Sequence, residues 1–183
     1  MERQVSDRNV LVRFTKEFCD VLEKYAEYII VSGFVAILSG RVRGTEDIDI
    51  ITKRIAKDDF KKLHLELVMS NFVCMQSDNI DTIYEYLEDN AAVRYTWRDK
   101  PLPEIELKFP KDIIDTEQLR TRKKIEMTGT DFWFSSVEWN IAFKEEYLKS
   151  DKDMEDAMHL RKVYDVDEEK INDYKRFIKE ERL

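Results

Sequence analysis

Apolar and polar positions in the first half of the chain alternate between helical and strand-like spacing. Apolar residues recur three or four positions apart over residues 9–28 and 56–70, with charged residues opposite, which predicts two amphipathic helices. An apolar run at 34–38 predicts a short helix. Strand-like runs lie at 28–31, 47–51, 71–76, 91–97 and 104–109, and residues 78–89 fit either structure. We therefore predict an α/β or α+β fold with a small mixed sheet flanked by helices, in which 91–97 pairs with 104–109.

The pattern becomes mainly helical after Phe109. Residues 113–127 are polar and basic, and residues 131–134 form a short aromatic patch. Ser135 or Ser136 is suited to cap a helix over 136–148, and two further helices are predicted at 151–164 and 168–180. The pattern predicts a core at residues 1–112 and a helical C-terminal part at 113–183 packed on it, as two domains or as one.

Charge and hydropathy limit the classes of partner. The chain has 183 residues with 31 basic and 39 acidic side chains, a net charge of −8, which does not favour binding to bulk DNA. The longest uncharged stretch, residues 28–40, is shorter than the ~20 apolar residues that a membrane helix needs, and the N-terminus lacks the apolar core of a signal peptide. We expect a cytoplasmic protein that does not enter a membrane.

Cysteine and histidine are too few to build a disulfide framework or a zinc site. Cys19 and Cys74 are isolated in the sequence, and His64 and His159 are the only histidines. A metal ion would therefore have to be held by carboxylates, which are the ligands of hard cations such as Mg²⁺.

The candidate chemistry is concentrated around two aspartates. Asp47 and Asp49 are separated by one residue of a predicted strand, so both side chains lie on one face and can reach one cation. Upstream, a strand, the Ser32-Gly33 turn and a short helix form an arrangement that suits a phosphate. Glu106 on a neighbouring strand is the candidate third carboxylate, with Glu104 on the same face as the alternative. A solvated, non-functional Asp-x-Asp pair is the competing interpretation.

Four stretches of the chain, residues 31–36, 40–50, 136–144 and 150–156, resemble the nucleotidyltransferase superfamily with the DNA polymerase beta type of fold. Residues 31–36 and 40–50 are similar to the signature of its branch related to abortive-infection and toxin–antitoxin nucleotidyltransferases. Residues 136–144 and 150–156 are similar to charged helices of that family. Ser32 stands where the first glycine is usual, and Val137 replaces a helix-starting proline. The positions in register with the signature are Gly40, Arg43, Thr45, Asp47 and Asp49.

The resemblance implies a fold, a reaction and a set of site residues. Asp47, Asp49 and Glu106 would be the catalytic carboxylates and the ligands of two Mg²⁺ ions, with Mn²⁺ as the alternative ion. An NMP would move from an NTP such as ATP to an acceptor hydroxyl of a small molecule, a tRNA or a protein, with release of pyrophosphate. The implied nucleotide-binding residues are Ser32, Gly33, Arg43, Thr45 and Lys144.

Two other functions stay open at this level. A non-catalytic, antitoxin-like binding module of the same fold could keep the carboxylates without turnover, and an unrelated acidic domain could carry the aspartates by chance. The basic residues between Lys111 and Lys124 are interpreted as a solvated surface, with RNA or an acidic protein as the alternative partner. The aromatic patch is interpreted as core.

Overall fold

A computed structural model describes residues 2–42, 47–125 and 128–182 of the chain. The helices are α1 Glu2–Leu22, α2 Phe34–Leu38, α3 Lys57–Met69, α4 Ile80–Glu88, α5 Ile113–Arg120, α6 Val137–Phe143, α7 Asp151–Val163 and α8 Glu168–Glu180, with a π-helical segment at Lys144–Leu148. The strands are β1 Tyr28–Val31, β2 Asp47–Thr52, β3 Phe72–Cys74, β4 Val93–Trp97, β5 Lys100–Lys108, β6 Lys123–Lys124 and β7 Trp133–Phe134. None of the described helices is long and apolar enough to cross a bilayer.

The chain divides into two compact units. The first comprises Met1–Tyr28 and Glu46–Pro110, and the second comprises Ile29–Thr45 and Lys111–Leu183. The second unit resumes at Lys111, close to the predicted boundary, and it also includes residues 29–45, which the sequence analysis grouped with the core. The reason is local: all five residues of α2 are buried, and Ile30 of β1 pairs in parallel with Phe134 of β7.

The first unit is built around strands in the order β3-β4-β5-β2. β4 pairs antiparallel with both β3 and β5, as the sequence predicts for 91–97 and 104–109, and β2 runs parallel to β5. Alternation in β2 and β5 buries Ile48, Ile50, Ile105 and Leu107 completely. Aromatic residues extend this core, with the ring centroids of Phe14 and Trp97 4.9 Å apart. The mixed α/β prediction is therefore confirmed.

The second unit packs its C-terminal helices around aromatic residues. Ser136 caps α6 by accepting a hydrogen bond from the backbone amide of Trp139, as the sequence predicts. Trp139 is fully buried and stacks on Tyr174 of α8 with 4.2 Å between ring centroids. Phe132 and Phe134 are also buried, so this part of the aromatic patch belongs to the core.

Several element bounds differ from the sequence predictions for identifiable reasons. α1 ends at Leu22 rather than at residue 28, because a turn separates it from β1. The ambiguous segment 78–89 contains helix α4. Asn79 caps this helix, because its side-chain oxygen accepts hydrogen bonds from the backbone N–H groups of Asp81 and Thr82. The basic segment after residue 112 contains α5, which the sequence analysis did not predict. Its Asp112 cap is present, but its composition shows little apolar periodicity.

Candidate functional site

The parallel register of β2 and β5 brings four carboxylates side by side. Asp47 pairs with Glu104 and Asp49 with Glu106 across the two strands. The residues between them are apolar and buried, so strand alternation turns all four acidic side chains to the opposite face. We call Asp47, Asp49, Glu104 and Glu106 the carboxylate face. The structure therefore brings both candidate third carboxylates beside the predicted aspartates.

The four carboxylates differ in their exposure to solvent. Asp47 is exposed and Asp49 is partly exposed, whereas the Glu104 side chain is only 12% exposed and that of Glu106 is 28% exposed. Burial raises the pKa of Glu104, and the neighbouring Asp47 raises it further through charge and a hydrogen bond, while Arg94 acts in the opposite direction. The site therefore increases the proton affinity of Glu104.

Arg94 places a positive charge against Glu104 and Glu106, and sequence reasoning missed it. It lies on β4 directly across from Glu106 in the antiparallel register. Its Nε is 3.3 Å from Glu104 Oε1 and its Nη2 is 3.3 Å from Glu106 Oε2, so one guanidinium spans both glutamates. These carboxylates raise the pKa of the Arg94 guanidinium further. The sequence does contain a signal for Arg94. It stands between the apolar residues Val93 and Tyr95 in a strand predicted to pair with β5, so alternation places it on the polar face of that strand.

The chemistry of the carboxylate face fits a hard divalent cation. Aspartate and glutamate oxygens are the ligands that Mg²⁺ and Mn²⁺ take in proteins. Among residues 2–42, 47–125 and 128–182, however, no three side chains of metal-ligand type converge on a common point. The contacts of Arg94 with both glutamates explain part of this, since they direct Glu104 and Glu106 toward the guanidinium. The donor set fits Mg²⁺, and assembling it requires the side chains to rotate.

The predicted phosphate turn belongs to the second unit. Ser32 adopts a left-handed backbone conformation with φ of 72°, which is uncommon for a residue with a side chain. Gly33 precedes the five-residue helix α2 with a φ of −78°, a value that does not require glycine. The conformational freedom of glycine is used instead at Gly40, where φ is 95° just after α2. Arg43 and Thr45 lie outside the described residues.

Lys144 is buried in an ion-pair cluster of the second unit. Its Nζ lies 2.9 Å from Asp156 Oδ2 and 3.5 Å from Asp153 Oδ1, and its side chain is 2% exposed. Arg41 contacts the other oxygen of Asp156 and also Glu155. We call Arg41, Lys144 and Asp156 the buried cluster. In this arrangement the Lys144 ammonium binds carboxylates, and nucleotide binding by this lysine stays a prediction.

Two solved structures have folds similar to that of the chain. One is an antigenic nucleotidyltransferase-like protein from Paracoccidioides brasiliensis, 19% identical, with 84% of this chain and 74% of that chain covered and a TM-score of 0.54. The other is the antibiotic-resistance factor ANT(2'')-Ia, 13% identical, with 94% of this chain and 92% of that chain covered and a TM-score of 0.56. No protein-family model and no curated protein matches the sequence. The likeness shows that this chain has a fold similar to that of nucleotidyltransferases, while its membership of the superfamily and its branch stay predictions.

Proposed function

We propose that the chain is a nucleotidyltransferase that moves an NMP from an NTP to an acceptor hydroxyl with the help of Mg²⁺ or Mn²⁺. The observation that carries the proposal is the register of β2 and β5, which sets Asp47 and Asp49 beside Glu104 and Glu106. This arrangement occurs in a chain with a nucleotidyltransferase fold. The acceptor belongs to one of three classes, a small molecule, an RNA or a protein.

The carboxylates divide into two roles in this proposal. Asp47, Asp49 and Glu106 would hold the divalent cation, which supplies charge neutralisation of the triphosphate and of the departing pyrophosphate. Glu104 is the proposed proton acceptor, because it lies beside Asp47 across the strand pair and burial raises its pKa. It would accept the proton of the acceptor hydroxyl as that oxygen attacks the α-phosphorus. The transfer is direct, and no covalent intermediate on the protein is needed.

The remaining nucleotide-binding residues are proposed from the resemblance. Ser32 and Gly33 would donate a hydroxyl and backbone N–H groups to the phosphates, and the left-handed conformation of Ser32 supports a specialised turn there. Arg43 and Thr45 remain part of the proposal through the sequence signature. The proposal does not depend on Lys144, since its ammonium is bound by Asp156 and Asp153.

Calorimetric titration with each NTP tests this function directly. With Mg²⁺ present, the unaltered chain is expected to bind at least one NTP, and removal of Mg²⁺ with EDTA is expected to abolish binding. A D47N/D49N variant should lose more than about tenfold in affinity, because two charged ligands become neutral amides. The control D58N/D59N removes two exposed aspartates at the start of α3 and should bind as the unaltered chain does. Equal NTP binding by D47N/D49N would contradict the proposal.

A non-catalytic binding module is the second candidate, and one observation favours it. Arg94 already neutralises two of the four carboxylates, and no ligand set is assembled among the described residues. Such a module would keep a folded carboxylate face without turnover. Incubating the chain with labelled NTPs, Mg²⁺ or Mn²⁺, and mixtures of aminoglycosides, tRNA or cell protein separates the two functions. Release of pyrophosphate with label on an acceptor supports the enzyme, and NTP binding without release supports the module.

A further inference from the structure

Arg94 is positioned to respond to a cation on the carboxylate face. The antiparallel register fixes its Cα opposite Glu106, and the guanidinium fork reaches Glu104 on the same strand. Arginine suits this position because its rigid, planar guanidinium can form ion pairs with two carboxylates at once. The contact with Glu106 involves a carboxylate that a divalent cation would need. A cation and Arg94 therefore compete for Glu106.

The Arg94 side chain is held in a way that permits exchange. It is 49% exposed, so it can turn to solvent without leaving a buried charge behind. Exposed ion pairs are weak and screened by salt, in contrast with buried pairs. A dication brings twice the charge of the guanidinium to the same oxygens. Displacement of Arg94 by a divalent ion is therefore favourable on charge, and the cost is the loss of contacts made by a half-exposed guanidinium.

We propose that Arg94 is the resident counter-cation of the carboxylate face, holding Glu104 and Glu106 in the metal-free protein and yielding Glu106 when a divalent cation binds. The inference rests on the proposed function, because it takes the carboxylate face to be a cation site. Arg94 is thus a positioning residue that sets the affinity for the metal. It relieves repulsion among the four carboxylates when no metal is bound, and it weakens metal binding in proportion to the contacts that must be broken.

Direct binding of Mn²⁺ alone, followed by electron paramagnetic resonance, tests this role without any nucleotide. R94Q removes the charge and is expected to bind Mn²⁺ roughly two- to tenfold more tightly than the unaltered chain. R94K keeps the charge but lacks the fork, so its affinity should fall between the two. R13Q is the matched control, because Arg13 forms an exposed ion pair with Glu17 on α1 and should leave Mn²⁺ affinity unchanged.

Thermal unfolding supplies a second readout. In EDTA, R94Q is expected to unfold at a lower temperature than the unaltered chain. Mn²⁺ should raise the unfolding temperature of R94Q by more than it raises that of the unaltered chain. Higher salt should reduce both of these differences between the two proteins, since the Arg94 guanidinium is half-exposed.

The outcomes separate the inference from the function on which it rests. If the unaltered chain binds Mn²⁺ and R94Q binds it equally or more weakly, the counter-cation role is overturned while the cation site stands. If neither protein binds Mn²⁺, the cation site itself fails and the inference fails with it. Should R94Q not fold, an R94K affinity equal to or weaker than that of the unaltered chain would overturn the role.

Discussion

The carboxylate face and the buried cluster use charge in opposite ways. In the buried cluster, Asp156 is fully buried and meets two cations, Arg41 and Lys144, so its charge is compensated where water is absent. On the carboxylate face, Glu104 and Glu106 share the half-exposed Arg94. Compensated, buried charge is a structural arrangement, because breaking it leaves an ion without water. Carboxylates whose partner is a half-exposed arginine keep access to water, which a site that accepts a cation requires.

The largest expected effect comes from the buried cluster. D156N should lower the free energy of unfolding by roughly 3–5 kcal/mol, because Arg41 and Lys144 both lose a buried carboxylate partner. Urea denaturation measures this loss. The control is D151N on the same helix, where the exposed aspartate of the first turn should contribute less than about 1 kcal/mol. If D156N lowered the free energy of unfolding as little as D151N does, the buried cluster would not stabilise the fold. The contrast between the buried cluster and the carboxylate face would then not hold.

A smaller effect is expected from Glu104, and it depends on pH. Its pKa is raised in the folded protein from an ordinary value of 4.5, so the folded state binds more protons than the unfolded state between the two pKa values. Stability is therefore lost as pH rises through that window. E104Q mimics the protonated form and should be more stable than the unaltered chain at neutral pH, with the difference vanishing below about pH 4.

Denaturant unfolding of E104Q and the unaltered chain from pH 3 to 8 checks this dependence. E85Q is the matched control, because it makes the same glutamate-to-glutamine change at an exposed residue of α4. An E104Q difference that shrinks as pH rises would show that the carboxylate is stabilised when charged.

The smallest change in stability is expected at the two aspartates. D47N/D49N should leave the unfolding temperature in EDTA within about 2 °C of that of the unaltered chain, or raise it, because two like charges are removed from one face. The same variant is expected to lose nucleotide binding. Differential scanning calorimetry beside the binding titration shows whether the two properties separate. A large loss of stability would place Asp47 and Asp49 among structural residues and remove the contrast with Asp156.

Much of the architecture follows from local pattern. The spacing of apolar residues predicts β1, α2 and α8 at the bounds seen in the structure, and it predicts the pairing of β4 with β5. These elements have either strong periodicity or a clear stop signal. Helix α5 was missed because its capping residue is followed by a polar segment with no apolar stripe. The helix predicted at 136–148 covers the segment from Lys144, but its π-helical hydrogen bonding has no signal in the apolar spacing.

The sequence by itself determined that Asp47 and Asp49 share one face, since side chains on a strand alternate with period two. It also determined that Glu104 and Glu106 share a face of their own strand. Only the tertiary structure decided that these two strands are parallel neighbours in a register that aligns the pairs, that Arg94 faces both glutamates, and that Lys144 is buried against Asp156. The physical reason is that strand periodicity is local, whereas register and ion pairing depend on residues distant in sequence, whose approach is set by the packing of the whole unit.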